Sequence, residues 1–490
     1  MPTYKTPGVY IEEISLLPPN VAQVETAIPA FIGYTEKGPT EPTRIRSLVE
    51  FIDIFGGPAL ELPEFIVNSD GSIQMRDPSD NPVAVSIPAT PVYRLFYFLQ
   101  MYFANGGGPC YIVSVGNYTL PASADNISAD DLRDGLAELR KEDEPTLILF
   151  PEAGNLVEDD GSEYDAGTLT TYHSLYVDAL QQCADLQDRF VICDVYPAAL
   201  SSNPITEAAG FFRNGIGTSN LKYGAAYYPD LLTSLTYSYS EEEIVVAYDG
   251  GDIHLRRSEE DIKAAVGDAA KQAIRDDSLF HQDNESYFSI RKMIDGVNLV
   301  LPSSGAIAGI YAFVDSTRGV WKAPANVSLN RVIRPVEPIT SDDQEDLNET
   351  SSGKSINAIR TFTGKGVLVW GARTLAGNDT EWKYINVRRT YNMIEESVKK
   401  ASEQFVFEPN DNNTWVKVRA MIENFLTLQW RNGALMGATP EQAYFVKVGL
   451  GETMTGQDVL NGRMIVEIGL AVVRPAEFII LRFSHKMIES

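Results

Sequence analysis

The sequence predicts a multidomain protein of the α/β and α+β classes, and two parts of the chain carry this prediction. In the middle, two short apolar runs at 147–150 and 190–193 flank a segment whose apolar residues recur at helical spacing. Strand, helix and strand with fully apolar strands are typical of a parallel sheet covered on both faces. Residues 381–490 instead contain two helical patterns followed by two alternating patterns, which predict a compact α+β unit.

The two ends of the chain each predict a strand that has no local partner. Pro7-Gly8 precede the N-terminal strand and Pro18-Pro19 follow it, so it cannot continue into a hairpin. This strand comprises Val9, Tyr10, Ile11, Glu12, Glu13 and Ile14. The C-terminal strand follows Arg474-Pro475 and contains Phe478, Ile479, Ile480, Leu481 and Phe483. Such strands pair with each other, with a sheet of their own chain or with another molecule, and these alternatives stay open at this point.

The elements between the ends follow from local patterns. An apolar strand is predicted at 28–33, and residues 61–90 predict a loop-rich excursion. Apolar residues at 92–103 recur at helical spacing, and a glycine run ends this helix before a strand at 111–115. Residues 230–300 are polar with weak periodicity, and we interpret them as an insertion.

The predicted C-terminal unit consists of two amphipathic helices and two strands. The second helix is expected around 415–425, and the strands at 444–450 and 464–473. The buried stripe of the first helix is predicted to be Ile394, Val398, Ala401 and Phe405.

Charge and composition exclude several classes of protein. The chain has 490 residues, of which 44% are hydrophobic and 22% charged, so it is neither disordered nor fibrous. Its net charge of −27 argues against a nucleic-acid partner, because such binding depends on neutralising phosphates. Residues 381–490 carry no net charge, so the acidic excess lies in the rest of the chain. Acidic loops keep a surface soluble, or they form an outer shell around a neutral segment within an assembly.

Targeting signals are not expected in this chain. The N-terminus lacks the apolar core of a signal peptide, and the longest apolar stretch, 306–314, is too short to span a bilayer. We therefore expect synthesis in the cytosol without direct membrane insertion. Cys110, Cys183 and Cys193 cannot form a fully paired set, which favours free thiols.

The candidate catalytic and cofactor-binding motifs each lack a residue or a spacing that their chemistry needs. We therefore expect no cofactor, no metal and no enzymatic activity. Gly364-Lys365 lacks the first glycine of a phosphate-binding loop, and the histidines lack metal-ligand spacing. Ser303-Ser304 open an apolar helix, where serine hydrolases place their nucleophile. His173 has no acidic partner in sequence, so the favoured reading is that one serine caps the helix.

A set of short motifs, in order along the chain, resembles the contractile tail sheath family of phage tails, R-type bacteriocins and extracellular contractile injection systems. The N-terminal motif TPGVYIEE begins at Thr6, and TAIPAFIG begins at Thr26. Later motifs are RGVWKAPAN from Arg318, VWGARTL from Val369 and FEPN from Phe407, the last followed by Trp415. Residues 61–90 and 230–300 are the main parts without a match.

The resemblance implies a subtilisin-like α/β middle domain without an active site, and an extended strand arm at each terminus. It implies these segments: an N-terminal linking arm at 1–25, an N-terminal sheath region at 26–110 with its excursion at 61–90, the subtilisin-like domain at 111–370 with a variable insertion near 230–300, a C-terminal sheath domain facing the tube at 371–475, and a C-terminal linking arm at 476–490. Hinges are expected near Pro18-Pro19 and Arg474-Pro475.

The function implied is that of a structural subunit, which polymerises as stacked hexameric rings around an inner tube and contracts to drive the tube through a target envelope. Expected partners are further copies of the chain, the inner tube protein, and baseplate and terminal cap proteins. The resemblance implies synthesis and assembly in the bacterial cytoplasm, as a component of a virion or of a phage tail-like particle that can be released from the cell. Alternatives are a serine hydrolase and a non-contractile structural array protein.

The resemblance also suggests which helix lines the tube. A rotation of 100° per residue puts Lys399 and Lys400 opposite the predicted buried stripe, with Arg388 and Arg389 there too if the helix starts early enough. Glutamates share this face, so a plain solvated helix surface is the simpler reading.

Overall fold

The computed structural model describes residues 21–77, 81–157, 167–198 and 201–480. These residues form two compact units. The small unit comprises 21–24 and 393–473, and the large unit comprises 25–392 and 474–480. The division differs from the predicted segments, because residues 26–110 and 111–370 contribute strands to one sheet and therefore lie in the same unit.

Most strands in the described residues are short. In chain order they are β1 (Pro29–Thr35), β2 (Thr43–Ile45), β3 (Phe65–Val67), β4 (Ile73–Arg76), β5 (Pro82–Ala84), β6 (Cys110–Asn117), β7 (Leu147–Leu149), β8 (Phe190–Asp194), β9 (Gly224–Tyr228), β10 (Leu231–Thr233), β11 (Val245–Tyr248), β12 (Gly251–His254), β13 (Val300–Leu301), β14 (Val327–Ser328), β15 (Val332–Pro335), β16 (Ile356–Phe362), β17 (Gly366–Val369), β18 (Tyr444–Lys447) and β19 (Glu467–Leu470).

The helices of the described residues vary more in length. In chain order they are α1 (Leu48–Phe55), α2 (Leu95–Ala104), α3 (Ala129–Leu139), α4 (Thr170–Leu186), α5 (Pro204–Gly215), α6 (Glu259–Ala264), α7 (Asp268–Asp276), α8 (Leu279–Gln282), α9 (Asn284–Asp295), α10 (Ser304–Arg318), α11 (Ser341–Asn348), α12 (Ile385–Ser402), α13 (Asn412–Arg431), α14 (Pro440–Ala443) and α15 (Gly456–Leu460).

The large unit is built on a nine-stranded sheet in the order β14-β17-β16-β9-β8-β7-β1-β6-β2. The strands from β16 to β6 run parallel to their neighbours, while β17, β14 and β2 are antiparallel additions at the edges. Every residue of β1, β7, β8 and β9 is buried. The predicted parallel sheet is therefore confirmed, because strands buried on both faces need no polar alternation.

Alternate residues of the central strands feed two separate cores. Phe31 of β1 packs in one cluster with residues of α2 and α10. Its neighbours Ala30 and Ile32 belong to a second cluster, which contains residues of α3 and α4. This division follows from the twofold periodicity of a strand, whose successive side chains point to opposite faces.

Helices α2 and α10 approach closely, and small residues make this possible. A Cβ atom on Gly309 would lie 2.5 Å from the carbonyl oxygen of Tyr102, so only glycine fits there. The N-terminus of α2 is bound by Glu152, which follows β7. Its Oε1 accepts hydrogen bonds from the backbone N–H groups of Arg94 at 3.0 Å and Leu95 at 2.8 Å. These are among the amides that a helix leaves without a partner.

The two segments without a family-like motif come together in one module. Residues 61–90 supply β3, β4 and β5, and residues 230–300 supply β11 and β12 of a five-stranded sheet in the order β12-β11-β3-β4-β5. Strand β11 joins the two segments by pairing parallel to β3. Residues 61–90 were predicted to be loop-rich, but the structure has three short strands there. Strands of three or four residues are too short to give a clear alternating pattern in the sequence.

The small unit combines the second half of α12 and all of α13, α14 and α15 with a two-stranded antiparallel sheet of β18 and β19. The predicted α+β character is confirmed. Both strands are shorter than predicted: β18 ends at Lys447, and β19 occupies only the middle of the predicted strand at 464–473.

Candidate functional site

The C-terminal segment is fastened to the large unit by an ion pair, which we call the C-terminal root. Arg373 follows β17, and its side chain is 1% exposed. Its guanidinium donates from Nε to Glu477 Oε1 at 2.8 Å and from Nη2 to Glu477 Oε2 at 2.7 Å. A two-pronged contact of this kind is the strongest geometry for an arginine and a carboxylate.

Further contacts complete the root. Asn348 and Tyr384 each donate a hydrogen bond to the Glu477 carboxylate at 3.0 Å. Arg373 also binds Glu349 at 2.9 Å, but that side chain is 60% exposed. Burial opposes ionisation of Glu477, yet the hydrogen bonds from Arg373 and Asn348 outweigh burial and lower its pKa. The carboxylate is therefore held in its charged form.

Beyond the root, the described chain is apolar and exposed. Phe478, Ile479 and Ile480 are 68%, 79% and 78% exposed, and within the described residues they adopt no strand. Leu481 and Phe483 of the predicted C-terminal strand lie outside the described residues, as does the entire predicted N-terminal strand from Val9 to Ile14. Whether either segment forms a strand with a partner stays a prediction.

A second buried ion pair holds the chain just after the predicted N-terminal arm, and we call it the N-terminal root. Asp315 of α10 and Arg389 of α12 have side chains only 5% and 3% exposed, and their closest atoms are 2.6 Å apart. Thr26 donates from its hydroxyl to Asp315 at 2.6 Å and accepts from Arg389 at its carbonyl at 2.9 Å. Residues 21–24 precede this point and belong to the small unit.

The first two basic residues suggested for tube contact are buried. Arg389 forms the N-terminal root, and Arg388 is 2% exposed, with its guanidinium carbon 4.3 Å from the ring centre of Trp382. Their predicted position on an exposed helix face is wrong, because nearly every residue in the first half of α12 is buried and the helix has no solvated side there. Lys399 and Lys400 do reach solvent, with side chains 62% and 37% exposed, and both pair with Glu396.

Within the described residues, the sheet of the small unit consists of the two strands β18 and β19. The amides of Ala471 and Val473 donate to Ala443 and Ala434, on the β18 side. Since successive amides of a strand alternate in direction, that of Ile468 points to the opposite edge of β19. The edge of a two-stranded sheet is where a further strand can be added, through backbone N–H and C=O groups.

The residues considered for hydrolysis are arranged as a helix cap. Ser304 donates from Oγ to Asp194 Oδ2 at 2.5 Å, and its backbone N–H binds Asp194 Oδ1 at 2.9 Å. The cap of α10 is therefore Asp194 at the end of β8, not the predicted serine. Burial raises the pKa of Asp194 to about 6. A serine nucleophile needs a base, whereas here the hydroxyl binds the carboxylate directly.

His173 does not supply that base. Its ring packs edge-on against Tyr172 and Phe212, and burial lowers its pKa to about 4. Cys110, Cys183 and Cys193 are buried free thiols. In the described residues, no group of three or more His, Cys, Asp or Glu side chains could hold a metal ion. None of the helices that the structure describes is long and apolar enough to cross a membrane.

Comparisons with known proteins point to one class. A family model described as the phage tail sheath protein central domain matches residues 254–375, and one described as the phage tail sheath C-terminal domain matches 378–486. The tail sheath protein of Burkholderia phage BcepMu is 32% identical over 141 residues, 28% of this chain and 29% of that protein. The tail sheath protein of Vibrio phage KVP40 is 28% identical over 130 residues, 26% of this chain and 19% of that protein. The matched region thus spans less than a third of the length of these curated relatives.

Solved structures extend the likeness to the whole chain. A chain of the anti-feeding prophage helical sheath in its contracted state is 30% identical with a TM-score of 0.58, covering 99% of this chain and 100% of that one. A chain of the sheath complex of the extracellular contractile injection system PVC, also contracted, is 28% identical with a TM-score of 0.62, covering 99% of each chain.

The fold and these likenesses define a structural protein of contractile, phage tail-like particles. More particularly, the chain belongs to the contractile tail sheath family.

Proposed function

We propose that this chain is the repeating subunit of a contractile sheath, which polymerises as stacked hexameric rings around an inner tube. The observation that carries the proposal is the presence, in one chain, of an exposed apolar segment after Glu477 and, within the described residues, a sheet of two strands, β18 and β19. Each feature alone is a liability in a free protein, but they complement each other between copies, because an extended segment can add a strand to an open sheet.

In this proposal, the arms at 1–25 and 476–490 each add a strand to the β18–β19 sheet of a neighbouring subunit. Three features support it. The alternating pattern at 464–473 is longer than β19, as expected for a strand whose full length is paired only in the assembly. The amide of Ile468 points to the edge of β19 that faces away from β18. The structural likeness includes a helical sheath.

The middle of the large unit is proposed to descend from a subtilisin-like fold that has lost its chemistry. Its parallel sheet, the carboxylate of Asp194 at a strand end and Ser304 at a helix start support this, since a hydrolase places an acid and a nucleophile at such positions. With Asp194 serving as a helix cap, we propose a structural rather than enzymatic role.

Contraction is proposed to be driven by packing rather than by nucleotide hydrolysis. Two arrangements of the same subunit surfaces need to differ by only a few kcal/mol per subunit, about the size of a typical coupling free energy, because the difference adds up over many rings. The inner tube, a baseplate and a terminal cap are the further partners proposed. A chain similar to this one occurs in a baseplate of the anti-feeding prophage, at 30% identity and a TM-score of 0.59.

The proposal is tested by closing the edge of β19. In Ile468→Pro, the ring replaces an N–H that points away from β18, so the hairpin keeps its own hydrogen bonds and an incoming strand loses one. We expect the variant to melt within a few degrees of the wild type and to form no sheaths in electron microscopy. Deletion of residues 1–20 should have the same outcome, because it removes the strand that is added.

The matched control is Ile468→Ala, which removes more of the side chain than proline does but keeps the N–H group. It should assemble. The wild type should form hollow cylinders of two lengths, which distinguishes a contractile sheath from a static array. Normal sheaths from both Ile468→Pro and the deletion would refute strand addition, and a wild type that stays monomeric and hydrolyses esters would favour the hydrolase.

A further inference from the structure

The C-terminal root has a feature that the proposed function does not by itself require. Within the described residues, the side-chain hydrogen bonds that hold this segment meet at Glu477, which is bound by Arg373, Asn348 and Tyr384 together. The next three residues are exposed. As far as the structure describes the chain, the side-chain hydrogen bonds that fix this part of it therefore end at the Glu477 carboxylate.

The other end of the contact leads into the central sheet. The backbone N–H of Arg373 donates to Asn357 Oδ1 at 2.8 Å, and Asn357 Nδ2 donates to the carbonyl of Arg373 at 2.8 Å. Asn357 lies in β16 and also donates to the carbonyl of Ala226 in β9 at 3.1 Å. Both Asn357 and Arg373 are 1% exposed. A pull on Glu477 thus reaches two parallel strands through buried hydrogen bonds.

We infer that the ion pair of Arg373 and Glu477 is a tension anchor: it fixes the point at which the C-terminal arm leaves the large unit and transmits the pull of a neighbouring subunit to the central sheet during contraction. This inference rests on the proposed function. It moves the C-terminal hinge, expected near Arg474-Pro475, to the chain after Glu477. Residues 474–477 then stay with the large unit while the arm beyond them changes direction.

The geometry indicates why an arginine is used here. The charge of a lysine is concentrated at one nitrogen atom. The planar guanidinium of Arg373 instead binds both oxygens of Glu477 and also donates to Glu349 and to the carbonyl of Asn348. A pull along the chain must break both prongs together, because they share one rigid plane.

The first test uses the unassembled full-length protein, so that it does not depend on sheath formation. Chymotrypsin cleaves after Phe478 only when several residues on either side detach from the body and extend into the protease. In Glu477→Gln we expect the initial rate of this cleavage, followed by mass spectrometry, to rise about tenfold or more. Glu349→Gln is the matched control, because it removes the exposed carboxylate from the same arginine, and its rate should stay within about twofold of the wild type.

The second test uses assembled particles. Sheaths of Glu477→Gln should form, since the arm and the β18–β19 sheet are unchanged, but they should break between rings on contraction, while Glu349→Gln sheaths contract whole. An unchanged cleavage rate in Glu477→Gln would overturn the anchor. Intact contraction of Glu477→Gln sheaths at wild-type length would overturn its role in tension. If the wild type forms no sheath, the proposed function fails, and the cleavage test still decides whether the root holds the chain.

Discussion

Glu152 makes the stability of the large unit depend on pH in a direction that can be predicted. The residue is 0% exposed, and its Oε1 is bound by the first amides of α2. Burial raises its pKa to about 8, although the hydrogen bonds from Leu95 and Arg94 act in the opposite direction. The ordinary pKa of a glutamate side chain, which applies to Glu152 in the unfolded chain, is about 4.5.

The sign and size of the effect follow from this difference. Between about pH 4.5 and pH 8 the folded state keeps the proton of Glu152 and the unfolded state releases it, so stability falls as pH rises through this window. Each unit of pKa difference between the folded and unfolded states corresponds to about 1.4 kcal/mol in the free energy of unfolding. The difference between about 4.5 and about 8 at Glu152 therefore lowers the free energy of unfolding by about 5 kcal/mol in full. Glutamine keeps the carbonyl acceptor of Glu152 without a titrating proton. Glu152→Gln should therefore lose much less stability over this range.

The assay is urea unfolding at pH 5 and pH 8, with hydrogen exchange of α2 identifying the transition of the large unit. Burial also raises the pKa of Asp194, to about 6, and that of Asp230, to about 8. Both groups therefore lower the stability of the wild type as pH rises, in the same direction as Glu152. The informative quantity is therefore the difference between wild type and variant. Glu138→Gln, at a side chain 46% exposed, is the control and should follow the wild type. Parallel profiles for wild type and Glu152→Gln would refute the reasoning.

Two further predictions concern the N-terminal root and the tube. Asp315→Asn keeps the shape of the side chain but leaves the buried charge of Arg389 without its carboxylate. We therefore expect urea unfolding to show a free energy of unfolding lower by about 3–5 kcal/mol. A loss below about 1 kcal/mol would contradict a buried ion pair. Changing Lys399 and Lys400 to Glu reverses the two charges that pair with Glu396, and we expect it to prevent extended, tube-filled sheaths while empty contracted ones still form. Extended particles that persist at low and moderate salt would exclude α12 from the tube contact.

The central sheet was predictable because its strands are apolar throughout and the helices between them are long. The runs at 147–150 and 190–193 became β7 and β8, and the helical pattern between them became α4. Such patterns are local, so the sequence alone contains the information. The pairing of β3 with β11 was not predictable, because it joins segments far apart in the chain whose strands have only three and four residues.

The burial of Arg388 and Arg389 shows a second limit of predicting structure from the sequence. A helical wheel orders residues by angle around one axis, and it assigns polar residues to solvent by default. In the first half of α12 that assumption fails, because the aromatic ring of Trp382 and the carboxylate of Asp315 provide partners for the two guanidinium groups. An arginine needs such partners when it is buried, but nothing in the local pattern identifies them.

The roots themselves consist of partners that lie far apart in sequence, 104 residues for Arg373 and Glu477 and 74 for Arg389 and Asp315. Arg373 lies within the motif VWGARTL, whereas Glu477 lies in the predicted C-terminal linking arm at 476–490, so only the structure joins them. Under the proposed function, this contact decides which unit an arm belongs to. The C-terminal arm is fixed to the large unit, while the sheet that receives an arm belongs to the small unit. Strand addition then ties the large unit of one subunit to the small unit of the next, so the strength of the mesh depends on Glu477 as much as on the added strand.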